Sequence, residues 1–280
     1  MILESPQWGN KMLRPYIPQD SLENWMTQVT VPSFAREAPT HISQRGALYH
    51  IPSELIDEYL ENWKASIETA TSIPFFMEEV RGNPFRLYID LDIPRTVHLP
   101  YDASQLISFI VSATVQIFPS CNPTVLSLEC HGPVEDSDGS HFKSGYRLYF
   151  QHIFVDTRTY KAYVEKLVDA LQHQNNGLSI PHMLPAHQSW SEICDCKSVD
   201  WDRGRLLGTI KRRKSLNRVY SFHAIFDAAG PNPTLNNVYN SDLKRILFGS
   251  TLRLWNSLPN DTSIIVHNNV YSHEKFLSLK

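Results

Sequence analysis

The stretch Phe85-Arg-Leu-Tyr-Ile-Asp90-Leu-Asp92-Ile-Pro94 decides how the rest of the chain is read. Its residues alternate and Pro94 stops it, a pattern that predicts a strand. Successive side chains on a strand point to opposite faces, so Asp90 and Asp92 share one face. Two carboxylates that close repel each other unless a cation relieves them. The apolar residues on either side make uncompensated charge costly. A hard divalent cation such as Mg²⁺ or Mn²⁺ resolves the conflict with oxygen ligands, and a pair of such ions stabilises in-line phosphoryl displacement. The plainer alternative is a strand end whose acids face water or pair with Arg86 and Arg95.

Working outward, residues 1–45 are polar, proline-punctuated and weakly periodic, as in an extended arm or loose cap. Residues 52–71 place Leu55, Ile56, Tyr59, Leu60 and Trp63 at helical spacing. Asp102 is a candidate N-cap for a helix with Leu106, Ile107, Ile110, Val111, Thr114 and Ile117 on one face, ended by Pro119. Val125–Cys130 reads as a second strand, 131–141 as a polar loop, and Gly145–Phe150 as a third strand running toward Val155. Residues 157–172 form another amphipathic helix, and 173–190 a loop. Short apolar runs follow at 205–210 and 219–226, then a helix over Asn240–Trp255 and a polar tail. The alternation predicts an α+β fold, with helices on one face of the sheet. The expected divisions are an N-terminal arm and helical unit (1–74), a core (75–235), and a C-terminal helix and tail (236–280).

Composition narrows the class. A net charge of −3 gives no overall basic footprint, so any surface for nucleic acid must be local. Four cysteines are too few for a disulfide scaffold at this length. The first residues lack the pattern of a secretory signal. The most apolar run, Leu106–Phe118, is too short to span a bilayer. The expectation is a soluble, reducing, intracellular protein with no membrane partner.

Two further segments carry chemistry. Lys143-Ser-Gly-Tyr-Arg147 sets Lys143, Gly145 and Arg147 on one strand face. Two cations flanking a glycine suit a triphosphate, because the backbone can approach closely; the alternative is an edge strand with solvated basic residues. Residues 203–218 hold seven Lys or Arg and no acid, which suits template phosphates or an incoming nucleotide. A solvated loop, or a targeting run at Lys211–Lys214, would look the same. Upstream, Asp195, Asp200 and Asp202 are available to complete a metal site. A looser group, His173, His182, His187, Cys194 and Cys196, fits no common zinc spacing.

In order, these three segments resemble the motifs of the archaeo-eukaryotic primase superfamily, over roughly residues 75–230. The flavour is that of the primase module of poxvirus-like large DNA virus primase-helicases, with PrimPol enzymes as relatives. The lead-in Phe76-Met-Glu-Glu79 and the helix at 52–71 look similar too. The resemblance implies an RRM-like sheet with flanking helices beside a smaller N-terminal α/β unit. It implies a nucleotidyltransferase that starts chains on single-stranded DNA from NTPs or dNTPs, with two Mg²⁺ or Mn²⁺ ions. Asp90 and Asp92 match the metal acids, with Asp195 near the third and Asp200 as runner-up. Lys143, Ser144, Gly145 and Arg147 fall on the phosphate-holding motif. Arg205 and Lys211 match basic residues near the nucleotide, and Arg203, Arg212, Arg213 and Lys214 would follow the DNA. Some primases carry zinc where His182, His187, Cys194 and Cys196 lie.

Arg147 stands where the family has a histidine. Arginine holds phosphate oxygens bidentately but supplies no neutral imidazole, and neither His141 nor His152 is in register to replace it. A second reading is therefore a catalytically altered, primase-like module that binds single-stranded DNA. A third is a metal-dependent nuclease, for which no hydrolytic base is evident. No GxxxxGK[ST] loop occurs, so a replicative helicase would be a partner chain or lie outside this sequence.

Overall fold

The computed structural model describes residues 21–29, 39–43, 48–69, 77–80, 82–136, 139–173, 180–183, 189–195, 203–205, 207, 210–213, 216–253, 255, 262–266 and 269–272. The fold is mixed α+β. Its larger sheet holds β4 (Phe85–Arg95), β5 (Val125–Asp136), β6 (Gly139–Val155), β10 (Ser221–Asp227) and β11 (Gly230–Pro231), with β12 (Ser263–Val266) and β13 (Asn269–Ser272). The lanes run β11-β10-β5-β6, and β4 pairs with the other edge of β6. All these pairings are antiparallel except β12, which lies parallel to the end of β6 and makes the sheet mixed.

A smaller sheet, ordered β2-β1-β3-β7, joins β1 (His41–Ser43), β2 (Leu48–Tyr49), β3 (Met77–Val80) and β7 (Arg203–Arg205). Beside it, α1 (Ser21–Val29) packs on α2 (Ile56–Thr69). Within the stretch expected to be a loose arm, Leu22 and Met26 lie one helical turn apart and are fully buried. A separate hairpin, β8 (Ile210–Arg213) with β9 (Leu216–Val219), packs near β5.

The core lies under α3 (Ser104–Ile117) and α4 (Thr157–His173). Leu106, Ile107, Ile110 and Val111 of α3 are wholly buried, as are Tyr160, Tyr163, Leu167 and Leu171 of α4. These helices cover the sheet face carrying Ser144, Tyr146 and Phe150. Ser144 Oγ accepts from the Tyr101 N–H just before α3 (2.8 Å), and the Phe150 ring meets Tyr163 of α4. Ile89, Leu91 and Ile93 pair with Leu148, Tyr146 and Ser144 and so lie on this same face. A fully buried Leu or Ile contributes about 1.5–3 kcal/mol. That apolar face therefore fixes the sheet's orientation and turns Asp90 and Asp92 to the other side.

Four expectations are corrected. The polar stretch 131–141 is a strand extension, because pairing continues through Val134↔His141 to Asp136↔Gly139 and β4 braces β6 as far as Phe142. The expected helix 240–255 is instead α6 (Pro233–Asn240) and α7 (Leu243–Gly249). Asp242 starts the second helix by accepting from the Arg245 N–H, as an Asp at an N-cap does. Part of the polar tail forms β12 and β13. Helices also flank both faces of the sheet. Gly249 of α7 sits so close to Leu126, the partner of Tyr149, that a Cβ there would fall 3.1 Å from Leu126 Cδ2.

Asp102, expected as the cap, instead serves as an anchor one residue before the observed one. Its Oδ1 accepts from the Ser104 N–H and hydroxyl, while Ala103 occupies the cap position. Among the described residues, no helix is long and apolar enough to cross a membrane.

Glu79 ties the units together. Wholly buried in β3, its carboxylate accepts from the backbone N–H groups of Leu252 and Arg253. Burial raises its pKa to about 7, against the opposing pull of those bonds and of the Arg253 and Arg86 charges. Arg86, also buried, donates to the carbonyls of Thr251 and Gln151.

Candidate functional site

The face of β4 opposite α3 and α4 presents Asp90 and Asp92 together. Across the ladder, Asp90 lies opposite Arg147, Asp92 opposite Gly145, and Pro94 opposite Lys143. Each acid holds a cation. Arg147 grips Asp90 bidentately, Nε to Oδ1 at 2.7 Å and Nη2 to Oδ2, as a directly opposed cross-strand pair can. The Lys143 ammonium reaches diagonally to Asp92 Oδ2. Gly145 sits between the two pairs. A Cβ there would fall 2.8 Å from the Cys130 carbonyl oxygen and 3.8 Å from Asp92 Oδ1. The glycine thus permits the close strand approach.

The two pairs differ in depth. The Arg147 and Asp90 side chains are 8% and 13% exposed, those of Lys143 and Asp92 18% and 29%. Burial works against the Arg147 charge, yet the facing Asp90, helped by Tyr220 and Tyr149, holds its pKa well above the usual value. The guanidinium carbon also lies over the Tyr220 ring, 4.9 Å from its centre. Burial lifts the Tyr149 phenol to about 12, with Arg147 pulling the other way.

The donor chemistry fits a hard divalent cation: two carboxylates share one sheet face. Among the described residues, no group of three or more His, Cys, Asp or Glu side chains is gathered to hold a metal. Asp195 lies in the turn after α5 (Trp190–Ile193), a helix that packs against β4, and adopts a positive φ of 35°. Asp200 lies outside the described residues.

The remaining candidates are dispersed. Ser144 is wholly buried on the opposite face, where it anchors the chain leading into α3. Arg203 and Arg205 belong to β7, paired with Val80 and Glu78 in the smaller sheet. Lys211, Arg212 and Arg213 form β8, with Lys211 opposite Arg218. Lys214 lies outside the described residues, as do His187 and Cys196. Of the other two residues considered for zinc, His182 is exposed and Cys194 buried. Arg86 and Arg95, the plainer partners for the acids, bond instead to carbonyls.

Sequence reasoning passed over two contributors. Tyr149 could have been found, since it lies two residues beyond Arg147 and so on the same face. Tyr220 could not, because only the fold brings it 73 residues back onto Arg147.

Comparison with known families gives one match: the Prim-pol 4 family model covers residues 18–171, more than half of the chain. That span contains both β4 and β6 and ends before Asp195 and the basic segment. No curated protein is similar enough to match the chain.

Proposed function

Because this chain belongs to the Prim-pol 4 family, we propose that it joins nucleotides on a single-stranded DNA template, beginning without a primer, on the charged face of β4 and β6. Family membership itself suggests a primase-polymerase of nucleotidyltransferase type. The finer reading is supported by one observation above the rest. Two acids and two cations meet pairwise on one sheet face, and the family match spans both strands.

Asp90 and Asp92 would hold the divalent ions, with Asp195 the third acid that the family resemblance suggests and Asp200 its substitute. Bound there, such ions supply activation of the 3′-hydroxyl and neutralisation of the departing pyrophosphate. The chain's own residues do the rest. Lys143 and Arg147 receive the phosphates, the arginine with its two-pronged geometry. Gly145 lets the substrate approach the strand, and the Tyr220 ring keeps the guanidinium over the site. Arg205 and Lys211 would meet the nucleotide. Arg203, Arg212, Arg213 and Lys214 would meet the template phosphates, where charge neutralisation confers affinity and salt sensitivity. We hold the poxvirus-like kinship, a helicase partner and a zinc site as parts of the same proposal.

The full engagement of Asp90 by Arg147 favours a second reading, a single-stranded-DNA-binding module without synthesis. Incubation with unprimed single-stranded DNA, nucleotides and Mn²⁺ separates the two. The enzyme reading expects dinucleotides and longer products, with a loss of at least about a hundredfold in Asp90→Asn and Asp92→Asn. Salt-sensitive DNA binding with no product, together with synthesis gained in Arg147→His, would establish the module instead.

A further inference from the structure

We infer that Arg147 gates the metal site: Asp90 passes to a divalent cation only when a nucleotide triphosphate takes the guanidinium from it. The inference rests on the proposed polymerising role and specifies how that site is loaded.

Four observations carry it. Both oxygens of Asp90 are engaged by Arg147, and both side chains are nearly enclosed. A cation arriving alone would have to displace a fixed guanidinium and then remain beside it. Arginine keeps its charge, so it cannot yield by losing a proton. Charge counting points the same way. Asp90, Asp92, Lys143 and Arg147 cancel among themselves. Two divalent ions add four positive charges, and a nucleotide triphosphate adds about four negative ones. Either alone leaves a large imbalance in a sheltered site, whereas both together leave a small one, even counting a third acid.

The pairs are also unequal. Lys143 is a point charge on a flexible stem at a more exposed position, free to leave Asp92 for water. Arg147 is pinned by two bonds and seated on Tyr220. That seat keeps the guanidinium at the site after it leaves Asp90. Phosphate oxygens match its two prongs as the carboxylate does, so the exchange is one anion for another.

Two measurements test the gate on the full chain. In the first, Mn²⁺ is titrated in the absence of nucleotide, with free Mn²⁺ read by electron paramagnetic resonance. Arg147→Gln should bind on the order of tenfold more tightly than the unaltered protein, and the added affinity should vanish in Asp90→Asn/Arg147→Gln. Equal or weaker binding by a folded Arg147→Gln would overturn the gate.

The second needs no variant. The Arg147 Nε–H resonance is followed by nitrogen-15 NMR in arginine-labelled protein. Mg²⁺ alone should leave it in place, and Mg²⁺ with a non-hydrolysable nucleotide triphosphate should shift it. A shift at saturating Mg²⁺ alone would refute the gate, as would an unmoved resonance while a fluorescent nucleotide analogue binds. If no nucleotide binds under any condition, the polymerising role falls and the gate with it.

Discussion

The Asp90–Arg147 and Asp92–Lys143 pairs lie on the same two strands, the acids two residues apart and the cations four, yet they are different physical objects. The first is nearly enclosed, bidentate and backed by an aromatic ring. The second is an ion pair with a flexible ammonium at a more exposed position. A buried pair gains little over an apolar substitute but is costly to break, since one partner is left charged and dry. An exposed pair contributes little in either direction. The inner pair is therefore costly to separate, while the outer pair can part cheaply, as the proposed role of Lys143 in meeting substrate requires.

The sharpest way to break the comparison is Arg147→Met, which strands the Asp90 charge. It should lower unfolding stability by about 3–5 kcal/mol in urea melts. The double variant Asp90→Leu/Arg147→Met should recover most of that loss. No recovery would mean that the inner pair is not the isolated unit described here.

Glu79 sharpens the contrast, as a buried acid held by backbone N–H groups rather than a bidentate cation. Burial raises its pKa from 4.5 to about 7, so the folded protein holds a proton that the unfolded chain releases. The stability this confers is complete below pH 4.5 and is lost as pH rises through about 7, amounting to roughly 3 kcal/mol. His41, also wholly buried, acts oppositely. Burial lowers its pKa from 6.5 to about 3, so its contribution is lost as pH falls below 6.5. The test is therefore a difference. Between pH 5 and 7.5, Glu79→Gln should lose less stability than the unaltered protein, and parallel pH profiles would contradict the assignment.

Gly145→Ala probes the floor between the pairs. Its Cβ would meet the backbone oxygen of Cys130 at 2.8 Å, so overpacking should cost about 1–3 kcal/mol in thermal melts. Lys143→Met should have the smallest effect, under about 1 kcal/mol of stability. It should still weaken nucleotide binding about tenfold in fluorescence titrations, through loss of a charge-assisted contact.

The inner and outer pairs also show what was legible in the sequence. Alternation in a single strand put Asp90 beside Asp92, and Lys143, Gly145 and Arg147 on one face; the ladder joins those faces residue for residue. What joined them was register, which local pattern does not encode. The strand through 131–136 was hidden because polar residues on a hairpin extension lack the apolar alternation of a buried strand. The pairing of Arg203–Arg205 with β3, rather than with the sheet of the acids, depends on contacts more than a hundred residues apart. The broken C-terminal helix was within reach, since Asn240-Ser241-Asp242 is a cluster that stops one helix and caps the next. Tyr220 over Arg147 was out of reach, because only tertiary packing brings that ring to the site.

The most direct measurement is a crystal structure with Mn²⁺ and a non-hydrolysable nucleotide triphosphate, with the metal located by anomalous scattering. Mn²⁺ should lie against Asp90 and Asp92, and the triphosphate on Lys143 and Arg147, with the guanidinium turned from Asp90 to phosphate. Nucleotide or metal bound elsewhere, with both acid–cation pairs still closed, would contradict that arrangement.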